Sequence, residues 1–290
     1  MRILEKKTEV KITGYTGLYG VVANPIRHSL SPMMHNLAFK VLGIDDVYIS
    51  FEIKEEDFDK FIQSIQPMQI KGFNVSMPYK QKMVSYVDEL TKRSQLCQAV
   101  NTVKNINGKL IGDITDGQGF FDACHEKGWS IENKKIVILG AGGASRAIIV
   151  EAATQHASEI IVYNRSYRDY VKELDQKFET YIELKSLENM DELKEDLKDA
   201  YMLIQSTNVG MKPLDHECLI PSLDYLPEHL KVVDIIYNPN ETVLLKMAKE
   251  KGLDFMNGKG MILYQAAASF EFWTGQKMPI DRVKKKLEME

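Results

Sequence analysis

The run Lys135-Ile136-Val137-Ile138-Leu139, followed at once by Gly140-Ala141-Gly142-Gly143-Ala144-Ser145, limits the folds open to this chain more than any other segment. The apolar run has the length of a buried strand, and glycines at 140 and 142 permit a tight turn at its end. A helix around Ser145 to Gln155 and a returning strand from Glu159 to Tyr163 complete a βαβ unit, whose strands lie parallel. Further strands are expected at Met202 to Gln205 and Lys231 to Ile235, alternating with helices such as Val243 to Lys251, which stops at Gly252. The second half therefore reads as a doubly wound sheet.

The first half is also α/β. Leu18 to Ala23 and Val47 to Ile53 read as strands, and Glu55 to Gln66 as a helix with Phe58, Phe61, Ile62 and Ile65 on one face. Ser31-Pro32 reads as an N-cap followed by proline at the first helical position, with Met34, Leu37, Ala38, Val41 and Leu42 as the buried stripe and Gly43 as the stop. Asn107-Gly108 is a hairpin signal between Val100 to Ile106 and Lys109 to Ile114. With those two residues as the loop, Ile106 faces Lys109, Asn101 falls opposite Ile114, and Asp116 lies just past the strand end, so Asn101 and Asp116 become neighbours. Near the C-terminus, a helix over Met261 to Thr274 puts Ile262, Gln265, Ala266, Ser269 and Trp273 on one stripe, with Gln265 facing inward across the domain junction.

Charge excludes some partners. Lys+Arg number 37 and Asp+Glu 41, a net charge of -4 with no basic tract, so neither nucleic acid nor an anionic membrane surface is expected as a partner. Any anionic ligand must be captured locally. Cys97, Cys124 and Cys218 are scattered, with no C-x-x-C, so no disulfide framework and no metal site are expected. Charged residues at Arg2, Glu5, Lys6, Lys7 and Glu9 break any apolar signal core. The expectation is a cytoplasmic protein, monomer or homodimer.

Several polar segments carry chemistry. The glycine turn lets a pyrophosphate approach the backbone at a helix N-terminus, which points to a dinucleotide, with Ser145 in place of a third glycine. An acidic residue for an NAD ribose is absent from the end of the second strand, where Asn164-Arg165-Ser166 and Arg168 stand instead; that favours NADP, with NAD open because Asp169 could pair with an arginine or repel a phosphate. A solvated face is the plain alternative for both arginines. Ser31 alone is a helix cap, but Ser29 beside it adds a second hydroxyl to the free N–H groups, a setting that can hold a carboxylate. No G-x-S-x-G accompanies His28-Ser29, which argues against a hydrolase. Lys80 follows Asn74-Val75-Ser76-Met77-Pro78-Tyr79, and a lysine steadied by a carboxylate can protonate a developing alkoxide; Asp116 is the candidate partner, with a structural ion pair as the alternative.

These residues resemble the shikimate dehydrogenase family. The resemblance rests on Pro25 to Asn36 (PIRHSLSPMMHN), Asn74 to Lys80, Ala99 to Thr102 (AVNT), Thr115-Asp116-Gly117, Gly140 to Ala147, Asn164-Arg165-Ser166, Val209-Gly210-Met211 and Gly260 to Gln265, and runs over nearly the whole chain. Gly210 to Leu214 and Phe272 to Gly275 are most similar to the quinate/shikimate dehydrogenase branch. It implies that Lys80 and Asp116 are the catalytic pair, that Ser29 and Ser31 hold the substrate carboxylate, and that Ser76, Asn101, Asp116 and Gln265 hold ring hydroxyls. Tyr237 matches a residue near substrate and nicotinamide. The cofactor would lie on Gly140, Ala141, Gly142, Gly143, Ala144, Asn164, Arg165, Ser166 and Arg168, with Gly260 and Met261 along the nicotinamide. The implied fold has an N-terminal α/β substrate domain, residues 1–121, and a doubly wound Rossmann-type nucleotide domain, 122–258, with C-terminal helices, 259–290, returning to the first domain. The implied reaction reduces 3-dehydroshikimate to shikimate in aromatic amino acid biosynthesis, with quinate as a further substrate. The chain departs from the family pattern at Ile114, where Asn is usual, and at Asp169, where a basic residue is usual. The rivals are a non-catalytic metabolite and dinucleotide sensor, which presence of both Lys80 and Asp116 disfavours, and a dehydrogenase of the same fold with a different cyclic or amino-acid substrate.

Overall fold

Apolar, β-branched runs build two six-stranded sheets in the computed structural model, which describes residues 12–27 and 29–289. The charged positions 2, 5, 6, 7 and 9 and His28 lie outside the described residues. The first sheet has β1 (Gly17–Ala23), β2 (Asp46–Glu52), β3 (Ile70–Val75), β4 (Glu89–Leu90), β5 (Thr102–Ile106) and β6 (Lys109–Asp113) in the order β2-β1-β3-β5-β6-β4. Its helices are α1 (Ser31–Leu42), α2 (Phe58–Ser64) and α3 (Lys92–Cys97). Strands β1, β2 and β3 run parallel, whereas β5 is antiparallel to both β3 and β6. The β5–β6 hairpin has the expected register, Ile106 against Lys109 and Thr102 against Asp113. Asn107 and Gly108, with φ of 54° and 93°, form its loop in the left-handed region that the hairpin turn demands.

The chain then enters α4 (Asp116–Glu126), which runs unbroken through residues 121 and 122 toward the second sheet. That sheet comprises β7 (Lys135–Leu139), β8 (Glu159–Asn164), β9 (Tyr181–Ser186), β10 (Met202–Gln205), β11 (Lys231–Asp234) and β12 (Phe255–Met256), all parallel, in the order β12-β11-β10-β7-β8-β9. Crossovers are made by α5 (Gly143–Thr154), α6 (Asp169–Asp175), α7 (Met190–Leu197) and α8 (Val243–Glu250). The order reverses between β7 and β10, so the carboxyl ends of these two strands open the crevice in which doubly wound folds hold their ligands. Finally α9 (Lys259–Thr274) and α10 (Ile280–Leu287) return to the first sheet, where Leu263, Phe270, Trp273 and Val283 share one apolar cluster with Tyr19, Phe39 and Tyr48. Among the described residues, no helix is long and apolar enough to cross a membrane.

Helix α4 is the strut between the halves, and two glycines set how closely it packs. A Cβ at Gly117 would sit 2.2 Å from the carbonyl oxygen of Ala147 in α5, and one at Gly119 would sit 2.3 Å from the backbone nitrogen of Gln265 in α9. Neither contact tolerates a side chain.

Three expectations need correction. Ser31 is the first helical residue and Pro32 the second; Leu30 already has helical backbone angles and takes the N-cap position. The inward face of α1 is Met34, His35, Ala38 and Phe39, while Val41 and Leu42 are exposed. The reason is tertiary: the aromatic residues Tyr48, Phe270 and Trp273 surround His35 and Phe39, and this turns the helix away from its most apolar stripe. The helix expected over 55–66 is a 3₁₀ turn at Glu55–Asp57 followed by the shorter α2.

His35 is fully buried, stacked on Tyr48 with ring centroids 4.4 Å apart, and neither ring nitrogen has a hydrogen-bond partner among the described residues. Burial lowers its pKa from the ordinary 6.5 to about 3. The unfolded chain therefore takes up a proton here that the folded chain refuses. The stability linked to neutral His35 is complete above the ordinary pKa and is lost as pH falls toward about 3. In urea unfolding at a series of pH values, His35→Phe should flatten the acid limb between about pH 6 and pH 4, by up to about 1.4 kcal/mol per pH unit. An unchanged limb would show that His35 does not titrate as described.

Candidate active site

The hairpin register brings Asn101 to Asp116. Asn101 Nδ2 donates to Asp116 Oδ1 at 3.1 Å and to Thr115 Oγ1 at 3.0 Å, and its Oδ1 accepts from the Thr115 N–H at 2.8 Å. The other carboxylate oxygen, Asp116 Oδ2, accepts from Lys80 Nζ at 2.6 Å. Asp116 begins α4, where the positive end of the helix favours its negative charge. Lys80 is mounted firmly: its carbonyl accepts from the Val100 N–H at 2.8 Å, and the preceding Tyr79 is buried, stacked on Phe58, with its hydroxyl donating to Ile53 O. The lysine side chain keeps 23% exposure against 8% for Asp116, so the ammonium is held by a buried carboxylate yet open on one side.

Beneath this pair lies a floor of buried polar side chains. Asn74 Nδ2 donates to Ser269 Oγ of α9 and to Asn101 O, while Asn74 Oδ1 accepts from the Tyr48 hydroxyl at 2.7 Å. The Thr115 hydroxyl lies 3.1 Å from both Ser269 Oγ and Gln265 O. Nothing in the spacing of Asn74, Ser269 or Tyr48 pointed to one network, since they come from three distant segments. Ile114 is buried in an apolar cluster with Cys97, Ala99 and Phe120, so the polarity around Asp116 comes from Asn101 and Thr115 and needs none from position 114.

Above the floor is a cavity of about 280 Å³ lined by Ser29, Ser31, Ser76, Lys80, Asn101, Asp116, Tyr237, Met261 and Gln265, together with Asn74 and Ala144. The Ser29 hydroxyl oxygen accepts the Ser31 N–H at 3.2 Å; α1 has no acidic residue in its first turn, and its N-cap residue, Leu30, makes no side-chain capping bond. Two hydroxyls at the positive end of a helix, lining the same cavity as an ammonium, make a site for an oxygen-rich anion. Tyr237 is half-buried in the wall, and burial raises its pKa. Gly260 lies outside the cavity lining, because a side chain there would meet Ala123 of α4 at 2.8 Å.

A second cleft of about 540 Å³ opens at the switch point and is lined by Gly140, Ala141, Gly142, Asn164, Arg165 and Arg168, with Ser206, Thr207 and Asn208 after β10, which sequence reasoning did not single out. Gly140 has a φ of 103°, and a Cβ there would meet Thr207 at 2.7 Å. At Gly142 and Gly143 a Cβ would meet nothing within 4 Å, so the space before the α5 N-terminus is open to a phosphate. Ser145 is buried; its hydroxyl oxygen accepts the Gly142 N–H at 3.1 Å and lies 2.7 Å from Ser206 Oγ. Asn164 Oδ1 accepts the Ala141 N–H at 3.3 Å. Arg165 and Arg168 are exposed at the rim, and Ser166 is exposed in a small neighbouring pocket; among the described residues neither arginine has a carboxylate partner, and Asp169, which starts α6, has no cationic one. These residues fit a dinucleotide. Ala144 lines the first cavity, so the two clefts meet at the start of α5.

The chain matches three family descriptions in succession: "Shikimate dehydrogenase substrate binding domain" over residues 21–103, "Shikimate / quinate 5-dehydrogenase" over 123–235, and "Shikimate 5'-dehydrogenase C-terminal domain" over 258–288. It is 42% identical to the shikimate dehydrogenase (NADP(+)) of Listeria monocytogenes over 97% of this chain and 99% of that one. The corresponding protein of Alkaliphilus metalliredigens is 41% identical over 96% and 98%. The crystal structure of shikimate 5-dehydrogenase from Listeria monocytogenes in complex with shikimate and NAD superimposes with a TM-score of 0.92, at 42% identity, over 96% of this chain and 98% of that one.

Ser145→Ala removes the hydroxyl that holds the glycine turn. By calorimetry, dinucleotide affinity should fall roughly 3- to 10-fold, the loss of about one hydrogen bond, while ligand binding in the first cavity is unchanged. Equal affinity in the variant would mean that the turn needs no such brace.

Proposed function

Because the chain belongs to the shikimate dehydrogenase family, we propose that Lys80 and Asp116 are the catalytic pair of its reaction, the reversible NADP(H)-linked reduction of 3-dehydroshikimate to shikimate. The observation that carries this reading is the 2.6 Å contact between an ammonium open to the cavity and a buried carboxylate. A dinucleotide held by Gly140 to Ala144, with its nicotinamide beside Met261, would supply hydride chemistry at C3 in either direction. As negative charge develops on the C3 oxygen, Lys80 Nζ delivers a proton to it; in the oxidative direction the same nitrogen takes the proton back. Asp116 keeps the ammonium aimed, and its other oxygen, steadied by Asn101, faces a ring hydroxyl.

Ser29 and Ser31 hold the substrate carboxylate at the α1 N-terminus, while Ser76, Asn101 and Gln265 read the ring hydroxyls. Tyr237 and Met261 close the wall on the nicotinamide side, and Gly260, next to Met261 in the chain, belongs to the same stretch along the nicotinamide. Gly140, Ala141, Gly142, Gly143 and Ala144 cradle the pyrophosphate, and Asn164 braces that turn. Arg165, Ser166 and Arg168 take the 2′-phosphate, and the lack of carboxylate partners for the two arginines among the described residues supports NADP over NAD. The substrate-binding unit comprises 1–121 with 259–290, around a nucleotide unit at 122–258. Quinate, which offers a carboxylate and the same three ring hydroxyls with a fourth on the carboxylate-bearing carbon, is a further substrate. Three free cysteines, two of them with thiols pushed up to about 12 by burial, suit a reducing cytoplasm.

Replacing Lys80 by Ala should lower kcat with shikimate roughly 10² to 10⁴-fold while NADP⁺ affinity stays near normal; a kcat close to wild type would refute the assignment. Arg165→Ala should cut kcat/KM for NADP⁺ about 10-fold, with NAD⁺ changed far less. Equal losses with the two cofactors would remove Arg165 from 2′-phosphate recognition.

A further inference from the structure

β11 ends in Asp234, which has no solvent exposure and, among the described residues, no cationic partner. Burial pushes its pKa up to about 6. A carboxylate so placed is costly to ionise, and nothing in the reaction described above uses it. Its two oxygens are both occupied. Oδ1 accepts the Ile236 N–H at 3.0 Å, and Oδ2 accepts the Thr242 hydroxyl at 2.7 Å; the Thr242 oxygen in turn accepts the Leu245 N–H and caps α8.

The segment from Ile235 to Thr242 is thereby closed at both ends onto one side chain. That segment carries Ile235 and Tyr237 into the first cavity. Its backbone is pinned from two more sides, by the Ile235 N–H on Gln205 O at 3.0 Å and by the Gly258 N–H on Ile236 O at 2.9 Å. Tyr237 itself has no hydrogen-bond partner among the described residues, so its place at the cavity depends on the turn that bears it. The two groups that meet Asp234 are both donors, and a carboxylate accepts from both at once, whereas an amide would present an N–H to one of them.

We infer that Asp234 is a positioning residue for the reaction: by holding Ile236 and Thr242 together it fixes the turn that sets Tyr237 against the substrate. The inference rests on the reading of Tyr237 as a substrate contact.

The test is a kinetic cycle on the full chain with shikimate and NADP⁺, using Tyr237→Ala, Asp234→Ala and the double variant. Asp234→Ala should raise KM for shikimate roughly 5- to 30-fold, since the two hydrogen bonds that fix the turn are lost, and leave KM for NADP⁺ within about twofold. The double variant should match Tyr237→Ala alone, because Asp234 acts through that side chain. Asp234→Asn, which retains one acceptor, should recover part of the loss. Losses that multiply in full, or an Asp234→Ala protein with a lowered Tm and unchanged KM, would overturn the inference. If Asp234→Ala does not fold, Asp234→Asn and Thr242→Val each enter the same cycle with the same criteria. A Tyr237→Ala protein with unchanged KM for shikimate would refute the substrate-contact reading and the inference with it. A raised KM for Tyr237→Ala beside normal kinetics for every Asp234 and Thr242 variant would refute the inference alone.

Discussion

The Asp116 carboxylate is the group on which the rest of the active cleft depends. Lys80 takes one oxygen and Asn101 the other, and the adjacent Thr115 hydroxyl reaches α9. A shift of this one side chain would disturb β3, the β5–β6 hairpin, α4 and α9 together. Breaking a buried pair from one side typically costs about 3–5 kcal/mol, since the remaining charge is left without a partner. The cost is limited here because one face of the pair is the cavity itself, where Lys80 keeps partial exposure. The same charge that orders the cleft also keeps the ammonium available to a developing oxyanion.

The two clefts solve anion binding by different means on a chain whose net charge is -4. The first uses neutral hydroxyls at a helix N-terminus, with the Lys80 ammonium in the same lining. The second uses open backbone at Gly142 and Gly143 ahead of α5, with arginines confined to the rim. Capture is therefore local, and no long-range positive field is needed. Helix α4 joins the two solutions. Gly117 lets it lie against α5, which presents the dinucleotide cleft, and Gly119 lets it lie against α9, which presents Gln265 and Met261.

What could be read in advance was whatever local geometry specifies. Asn107-Gly108 pins a two-residue turn, the turn pins the register, and the register alone makes Asn101 and Asp116 neighbours. The strands Lys135–Leu139 and Met202–Gln205 fall where the apolar runs put them. What escaped was decided at long range. The inward face of α1 follows from Phe270 and Trp273, more than 230 positions away, and so Val41 and Leu42 face outward despite their apolarity. Ser269 looked like one more small residue on a helix stripe until Asn74 and Thr115 met it. Asp234 stands unmarked inside the strand expected over Lys231 to Ile235, and only its burial beside Thr242 reveals the clamp.

The most direct test of this account is the initial rate of NADP⁺ reduction by the unaltered protein with shikimate, followed at the reduced-nicotinamide absorbance. The account predicts saturable, shikimate-dependent turnover with NADP⁺ that exceeds turnover with NAD⁺. Tight binding of shikimate and NADP⁺ with no change in absorbance would contradict it, because a Lys80–Asp116 pair poised as described must then be only structural.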